Sequence, residues 1–340
     1  PVKEWGYLDE DGNFDTPKAE KKWRLMPRLG IAYPITDNIK FHFSYGHFLQ
    51  YPEYKNMYQF INQGDPSIYG NSFSPFPYSL GDGYIPSLGN PNIKPEITVA
   101  YETGIHWRIS NSFVLNTTVF YKDMYDYHAS TIFFADPVDY AIFLNQDYGN
   151  SRGIEFNLKK LFSHHFSFDI TYTFSRAVGN ATDEYSHWWE AYLASVYGTY
   201  PSLKTVILDW NQPHTFNFNF NFRHPRGWGL NFVGNIGSGL PYTPTDVRGQ
   251  NLAASNSGSK PVTANIDMKA YKDIKIKPLK VRLFMDITNF INRNNILTVF
   301  SNSGQPDENL NPNASIEWED RPYYYGPPRH IEAGIEISFD

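Results

Sequence analysis

Apolar and polar residues alternate with a period of two along most of this chain. Between Thr215 and Phe222, phenylalanines at the even positions alternate with asparagines at the odd positions. A β-strand sends successive side chains to opposite faces, whereas a helix would mix the two sets. Similar alternation occurs at 154–159, 166–173 and 331–338. The pattern therefore predicts strands that have one apolar face and one charged or amide face.

The alternating segments predict eleven strands, each about as long as one tilted transmembrane β-strand. They are placed at 23–34, 39–48, 97–110, 113–124, 150–161, 166–178, 213–223, 228–239, 264–274, 279–291 and 328–339. Tight turns are predicted at 36–38, 110–112, 162–165, 224–227 and 275–278, and long loops at 49–96, 125–149, 179–212, 240–263 and 292–327. Short turns on one side and long loops on the other are typical of outer-membrane barrels, whose turns are periplasmic and whose loops are extracellular.

This alternation also predicts the direction of the chain. The last strand follows a long loop, so it should run towards the periplasm. Bacterial single-chain barrels have even strand numbers, so eleven strands predict that others precede them. Residues 1–22 are interpreted as the tail of an extracellular loop and residues 23–340 as the barrel. The first residues show no signal peptide, so we expect that it was removed or that the chain is a fragment.

A soluble sandwich or propeller is the alternative fold, because its strands also alternate. The long polar loops that alternate regularly with tight turns favour the membrane barrel instead. No segment approaches the about 20 consecutive apolar residues of a membrane-spanning helix. A mean hydropathy of -0.49 is compatible with a barrel, whose strands meet lipid only at every second residue.

The composition further restricts the possible fold classes and kinds of binding site. Aromatic residues make up 17% of the chain, with 25 Tyr, 26 Phe and 8 Trp, which is high for a soluble domain. The chain has no cysteine, which excludes disulfide frameworks and zinc-thiolate sites. The formal net charge of -6 provides no attraction to nucleic acid.

Several short motifs follow one another in a characteristic order. Gly89 precedes NPNIKPE at Asn90–Glu96, and Tyr101-Glu102-Thr103-Gly104 follows. The further motifs are FYKD at Phe120–Asp123, NSRGIE at Asn150–Glu155, Pro213-His214-Thr215, DITNFIN at Asp286–Asn292 and Pro328-Arg329. In this order they resemble the C-terminal barrel of TonB-dependent outer-membrane receptors.

The resemblance extends over residues 23–340. Trp23–Tyr33 and Tyr45–Pro52 resemble the subgroup that carries a carboxypeptidase-regulatory-like domain upstream. The glycan-importing subgroup has Lys-Trp-Glu where this chain has Lys94-Pro95-Glu96, and such barrels end on an aromatic residue where this chain has Phe339 followed by Asp340. The chain departs from the family pattern at both places.

The resemblance implies an all-β fold, an antiparallel transmembrane β-barrel. This chain would be the C-terminal half of a barrel of about 22 strands that is plugged by an N-terminal domain. It implies location in the bacterial outer membrane and energy-coupled uptake of a scarce nutrient such as a siderophore, cobalamin, a peptide or an oligosaccharide. The implied partners are outer-membrane lipid, the plug domain of the same protein, the TonB energy-coupling system and a small nutrient ligand. A passive porin or an adhesion-type barrel is the alternative function.

Two sets of candidate residues follow from the pattern. The first set is predicted to face inward, where it would either hydrate the lumen and contact the plug or form part of a substrate path: Glu102, His106, Arg108, Glu155, Lys159, Arg282, Asp286, Glu332 and Glu336. The second set comprises loop aromatics that could stack on a ligand, or pack loop against loop and form the interfacial girdle: Trp188, Trp189, Tyr192, Tyr197, Tyr200, Tyr323, Tyr324 and Tyr325.

No catalytic site, cofactor or metal site is predicted. His164 and His165 lie on a tight turn, where solvation is the ordinary role of such residues. Gly237-Ser238-Gly239 has no following helix to form the nucleophile elbow of a hydrolase. We therefore expect no enzymatic activity.

Overall fold

The computed structural model describes residues 19–58, 87–133, 140–188, 191, 205–313 and 321–339. Within these ranges the chain forms a 13-stranded sheet and a separate 2-stranded pair. None of the helices in the described ranges is both long and apolar enough to cross a membrane. The all-β antiparallel fold predicted from the alternation is confirmed.

The strands in chain order are β1 (Arg28–Thr36), β2 (Ile39–Gln50), β3 (Ser87–Leu88), β4 (Glu96–Arg108), β5 (Phe113–Phe133), β6 (Tyr140–Ser163), β7 (Phe166–Gly179), β8 (Val206–Ile207), β9 (His214–His224), β10 (Trp228–Gly237), β11 (Pro241–Tyr242), β12 (Gly258–Ser259), β13 (Thr263–Ile276), β14 (Leu279–Thr288) and β15 (His330–Phe339). Short helices also occur, among them α1 (Tyr54–Tyr58) and a 3-10 helix (Pro322–Tyr324).

Neighbouring long strands are antiparallel and follow one another in chain order. The path through the sheet is β1-β2-β4-β5-β6-β7-β9-β10-β13-β14-β15, while β3 pairs with β6 and β8 pairs with β7. This path contains the eleven strands that the sequence predicts. The five predicted tight turns join consecutive strands of this path. In the first turn, the hydroxyl of Thr36 accepts hydrogen bonds from the backbone N–H groups of Asn38 and Ile39.

The two largest departures from the predicted boundaries have physical reasons. The first strand begins at Arg28 rather than 23, because Pro27 has no N–H to donate to a ladder. The predicted loop 125–149 is largely wrong, because β5 and β6 continue as a hairpin well beyond the other strands. A register shift between Met124 and Tyr127, with Asp126 at a φ of 60°, changes the phase of the alternation there.

The buried core lies at the long-loop end of the sheet and not between two layers. Ile97, Ala129, Ile142 and Phe143 are fully buried there. The apolar side chains of the strands themselves stay exposed, as at Ile335, which is 65% exposed. A soluble sandwich would cover that face with a second sheet, and the described residues provide none.

The sheet is open along its two outer strands. The path ends at β1 on one side and at β15 on the other, and all nine residues of β1 are exposed. In lipid each unpaired backbone group would cost several kcal/mol, so a membrane-spanning sheet must close. The open sheet matches the prediction of part of a larger barrel.

Candidate functional site

A row of polar residues crosses the middle of the sheet. Directly paired residues in antiparallel strands share one face. Starting on β4, consecutive cross-strand partners are His106, Asn116, Asn157, Thr171, Asn217, Asn235 and Asn265. We call these seven residues the amide row. It crosses seven strands without an apolar residue.

Side-chain hydrogen bonds tie the amide row together. The Nδ2 of Asn157 donates to Thr171 Oγ1 at 2.9 Å, and the Nδ2 of Asn235 donates to Asn217 Oδ1 at 2.6 Å. The Nδ2 of Asn116 donates to Asn157 Oδ1 at 3.2 Å. A shallow depression of about 520 Å³ lies over this part of the row. The side-chain amides of the row use only part of their hydrogen-bonding capacity on one another. They can therefore also bind water or a polar polypeptide, and they do so without carrying a charge.

The structure places all nine predicted inward residues on the face of the amide row. In β4 this face carries Glu102 and Arg108 beside His106, at every second position. In β6 it carries Glu155 and Lys159 on either side of Asn157. From β13 onwards, the pairs Lys269–Asp286, Asp286–Glu332 and Arg282–Glu336 continue the face to β15.

Ion pairs on this face involve residues that the sequence analysis did not select. Lys269 Nζ lies 2.9 Å from Asp286 Oδ2, and Arg282 Nε donates to Asp273 Oδ1 at 2.7 Å. Lys159 Nζ lies 3.4 Å from Asp169 Oδ2. Lys269 and Asp273 are separated from Asn265 by even numbers of residues along β13, so the alternation alone would have placed them on this face. Their partners depend on the register between strands, which a single strand's pattern does not contain.

The loop aromatics separate into buried and exposed rings. Trp188 is buried and packs with Ile132 and Ala141. Tyr324 is also buried, and its hydroxyl accepts a hydrogen bond of 2.7 Å from Arg321. Tyr323 is 69% exposed and Tyr325 is half-buried. Trp189, Tyr192, Tyr197 and Tyr200 lie outside the described residues.

The NPNIKPE segment fastens the loop before β4 onto the β5–β6 hairpin. The side-chain amide of Asn90 donates to the carbonyl of Phe143 at 2.9 Å, and its oxygen accepts from the N–H of Asn92 at 2.9 Å. Lys94 N donates to Asn145 Oδ1 at 2.7 Å, and Asn145 returns a bond to the Lys94 carbonyl at 2.8 Å. The segment thus has a structural role, which is to fix the loop before β4 to the hairpin.

The DITNFIN segment closes the connection between β14 and β15. Asn289 has a φ of 51°, a left-handed conformation that asparagine tolerates better than most residues. Its amide donates to the carbonyls of Arg293 at 2.9 Å and Pro327 at 3.1 Å. Asn292, at a φ of 52°, accepts a hydrogen bond from the N–H of Arg329 at 3.1 Å.

Charged contacts hold the long loops to one another. Lys55, on α1, donates to Glu184 Oε1 at 2.8 Å, and Asn56 donates to Glu184 Oε2 at 2.9 Å. The hydrogen bond with the Glu184 carboxylate raises the pKa of Lys55 above its ordinary value. His187 Nε2 lies 2.6 Å from Asp147 Oδ1, and both side chains are largely buried. These contacts form a preorganised surface at the loop end.

Comparison with known families identifies the barrel. The family model described as "TonB dependent receptor-like, beta-barrel" matches residues 6–290. No curated protein sequence matches the chain significantly.

Solved structures match the fold at low sequence identity. The ferric-catecholate import receptor Fiu from E. coli K12 has a TM-score of 0.51 and 13% identity, covering 92% of this chain and 34% of its own. The outer membrane transporter YddB from Escherichia coli has a TM-score of 0.57 and 12% identity, covering 80% and 37%. The FrpB iron transporter from Neisseria meningitidis has a TM-score of 0.54 and 15% identity, covering 92% and 39%. The chain therefore spans little more than a third of the length of these proteins.

Proposed function

This chain belongs to the TonB-dependent receptor family, as part of its β-barrel domain, and we propose on that premise that it forms part of the wall of an energy-coupled uptake receptor. The protein would lie in the bacterial outer membrane and import a scarce nutrient. The observation that carries the proposal is the division of the sheet into two continuous faces. Bilayer lipid would contact the apolar face, and the face of the amide row would line the lumen.

We assign the polar face to contacts with a plug domain of the full-length protein and to the water that surrounds it. The amide row offers hydrogen bonds without net charge, and ion pairs such as Lys269–Asp286 flank it. Such a wall binds a polar polypeptide surface that can be released when an inner-membrane partner of the TonB type pulls on it.

The ligand would be captured by the loop layer. Because Trp188 and Tyr324 are buried, they hold the loops in place, and Tyr323 is the described loop tyrosine that is most open to a ligand. Aromatic rings on a rigid scaffold are suited to stacking on sugars, catecholates or peptide side chains. Ferric complexes are the first class to test, since two of the compared structures are iron or ferric-catecholate importers. Cobalamin, peptides and oligosaccharides follow.

The proposal is tested by uptake in cells that carry the full-length gene. Cells with the gene, cells without it and cells that lack the coupling protein are compared for uptake of ⁵⁵Fe complexes, labelled cobalamin, peptides and oligosaccharides at limiting concentration. We expect saturable uptake of one of these classes that needs both the receptor and the coupling protein. Uptake that persists without the coupling protein, together with open conductance in planar bilayers, would establish a passive porin instead.

The orientation has its own test, because this chain contains no cysteine. In a full-length receptor cleared of cysteines elsewhere, Tyr323→Cys is placed in a long loop and Asn111→Cys in a tight turn. A membrane-impermeant maleimide should label the first in intact cells and the second only after the outer membrane is opened. The reverse result would invert the proposed topology.

A further inference from the structure

A row of tyrosines and arginines crosses the apolar face near the long-loop end of the strands. Its members are consecutive cross-strand partners from β1 to β7: Leu29, Tyr45, Tyr101, Tyr121, Arg152 and Arg176. We call it the tyrosine–arginine row. The ring centroids of Tyr45 and Tyr101 are 5.1 Å apart, and those of Tyr101 and Tyr121 are 6.4 Å apart.

The position of this row along the strands matches the outer interface of a membrane. The next partners on the same face, one step closer to the tight turns, are the apolar residues Val119, Ile154 and Phe174. About ten residues of β6 separate Arg152 from its tight turn, which is the length that a tilted strand needs to cross the hydrocarbon. Tyrosines gather where hydrocarbon meets headgroups.

Arg152 and Arg176 form the charged end of the row. They are direct partners across β6 and β7, and both are exposed. Like charges directly opposite each other in a sheet destabilise it. Within the described ranges neither guanidinium has a hydrogen-bond or ion-pair partner, and Asp123, one step nearer the loops on this face, forms no ion pair with them. The pair therefore places two like charges side by side on the apolar face, and neither has an ion-pair partner within the described ranges.

We propose that Arg152 and Arg176 together bind a phosphate group on the headgroup of an anionic lipid in the outer leaflet. The planar guanidinium matches phosphate oxygens with two parallel hydrogen bonds, and a phosphate between the two removes their repulsion. The aliphatic stems lie along the sheet while the charged ends reach the headgroup. The acyl chains of the same lipid then contact Ile154 and Phe174 on the row below.

Charge complementarity selects this occupant. The site adjoins an apolar surface on one side and tyrosines on the other, so it suits an amphiphile better than a soluble anion. The inference rests on the proposed function, since it needs this face to lie in the outer membrane. Lipid binding is measured on the purified receptor, whereas uptake is measured in cells. The lipid proposal and the proposed function can therefore fail separately.

The experiment uses the full-length receptor in phosphatidylcholine nanodiscs. Diphosphoryl lipid A is titrated into the wild type, R152Q, R176Q, the double variant and the control R248Q, with a dephosphorylated lipid A as the matched probe. Arg248 is an exposed loop arginine, so R248Q removes the same charge away from the lipid face. Heat-modifiable migration on gels verifies that each variant is folded.

We expect each single substitution to weaken lipid A binding about tenfold, which corresponds to about 1.4 kcal/mol, and R248Q to leave it unchanged. The wild type should also prefer the diphosphoryl probe over the dephosphorylated one, a comparison that needs no variant to fold. Equal binding of the two probes, or a double variant that binds like the wild type, would overturn the proposal. Full competition by inorganic phosphate at matched concentration would make this a soluble-anion site and overturn the lipid assignment.

Discussion

Asn235 donates a hydrogen bond of 2.6 Å from Nδ2 to Oδ1 of Asn217, its direct partner across β9 and β10. The bond joins two uncharged side chains in the middle of the polar face, and the neighbouring bond from Asn157 to Thr171 continues the same row. The wall is thus held by side chains as well as by the backbone ladder. These two hydrogen bonds join uncharged side chains, so their contribution to stability should be insensitive to salt.

We predict that Asn235→Ala lowers the free energy of unfolding by about 1 kcal/mol, the usual contribution of one hydrogen bond. Urea unfolding of the full-length receptor in phosphatidylcholine vesicles measures it. A double-mutant cycle with Asn217→Ala should show that the two side chains are coupled, while Asn251→Ala, in an exposed loop, should have no effect. Strictly additive losses at 217 and 235 would show that the bond contributes nothing.

A second prediction concerns Gly104 in the Tyr101–Gly104 motif. A Cβ at this position would overlap the backbone carbonyl of Thr117 on the next strand and meet the His42 ring at 2.7 Å. The backbone cannot move aside as a side chain could, so Gly104→Ala should cost roughly 1 to 3 kcal/mol of stability.

Gly30→Ala is the matched control for this substitution, because a Cβ on Gly30 would meet nothing within 4 Å. Both glycines lie in strands of the same sheet. The folded fraction of both variants is compared in outer membranes. The difference between them isolates the clash with the Thr117 carbonyl from the effect of replacing any strand glycine by alanine. Equal yields for the two would refute the steric explanation of the motif.

The sequence predicted the strands well because the alternation of apolar and polar residues within one strand is a local property of that strand. The parity of Phe218 and Asn219, for example, can be read without knowing any neighbour. The same reasoning placed Glu102 and Glu336, far apart in the chain, on one face of the sheet. Inference failed where a bulge changes the phase, as at Asp126, and a predicted loop proved to be a continued hairpin.

The candidate site was less accessible to sequence reasoning. Trp188 and Tyr323 look alike as loop aromatics, yet one is buried and the other exposed, because burial depends on contacts with distant segments. The pairing of Arg152 with Arg176 depends on the register between two strands. The asparagines of NPNIKPE and DITNFIN were recognised as motifs, but their roles emerged only from partners such as the carbonyls of Phe143 and Pro327.

A third prediction concerns pH and the loop contact between Lys55 and Glu184. The pKa of Lys55 is raised by its hydrogen bond with Glu184, so the folded loop binds the proton more tightly than the unfolded chain does. The stabilisation is complete below the ordinary lysine pKa and is lost as the pH rises through the raised value. Amide hydrogen exchange in residues 54–58 should therefore accelerate, beyond its intrinsic pH dependence, at strongly alkaline pH.

Glu184→Gln keeps the shape of the side chain but removes its charge. In that variant the extra alkaline acceleration should become smaller, with Glu53 still near Lys55, and exchange in 54–58 should already be faster at neutral pH. The half-exposed position of Lys55 makes the effect small, because solvent screens the pair. An unchanged alkaline response in Glu184→Gln would show that another group controls this loop.

The last prediction tests which solvent covers each face of the sheet. Phe218 lies in the middle of β9 on the apolar face, and Asn219 is its neighbour on the polar face. An arginine in contact with lipid at mid-depth costs ~2 to 4 kcal/mol, whereas one that points into a hydrated lumen avoids this penalty.

Phe218→Arg should therefore strongly reduce the amount of folded, heat-modifiable receptor in outer membranes. Asn219→Arg loses the hydrogen bonds that Asn219 Oδ1 accepts from Asn231 at 2.8 Å and from Asn221 at 3.0 Å, so it should cost about 1 to 2 kcal/mol. Since the two substitutions place the same residue at adjacent positions, their difference isolates the environment of each face, and equal losses would mean that lipid does not cover the phenylalanines.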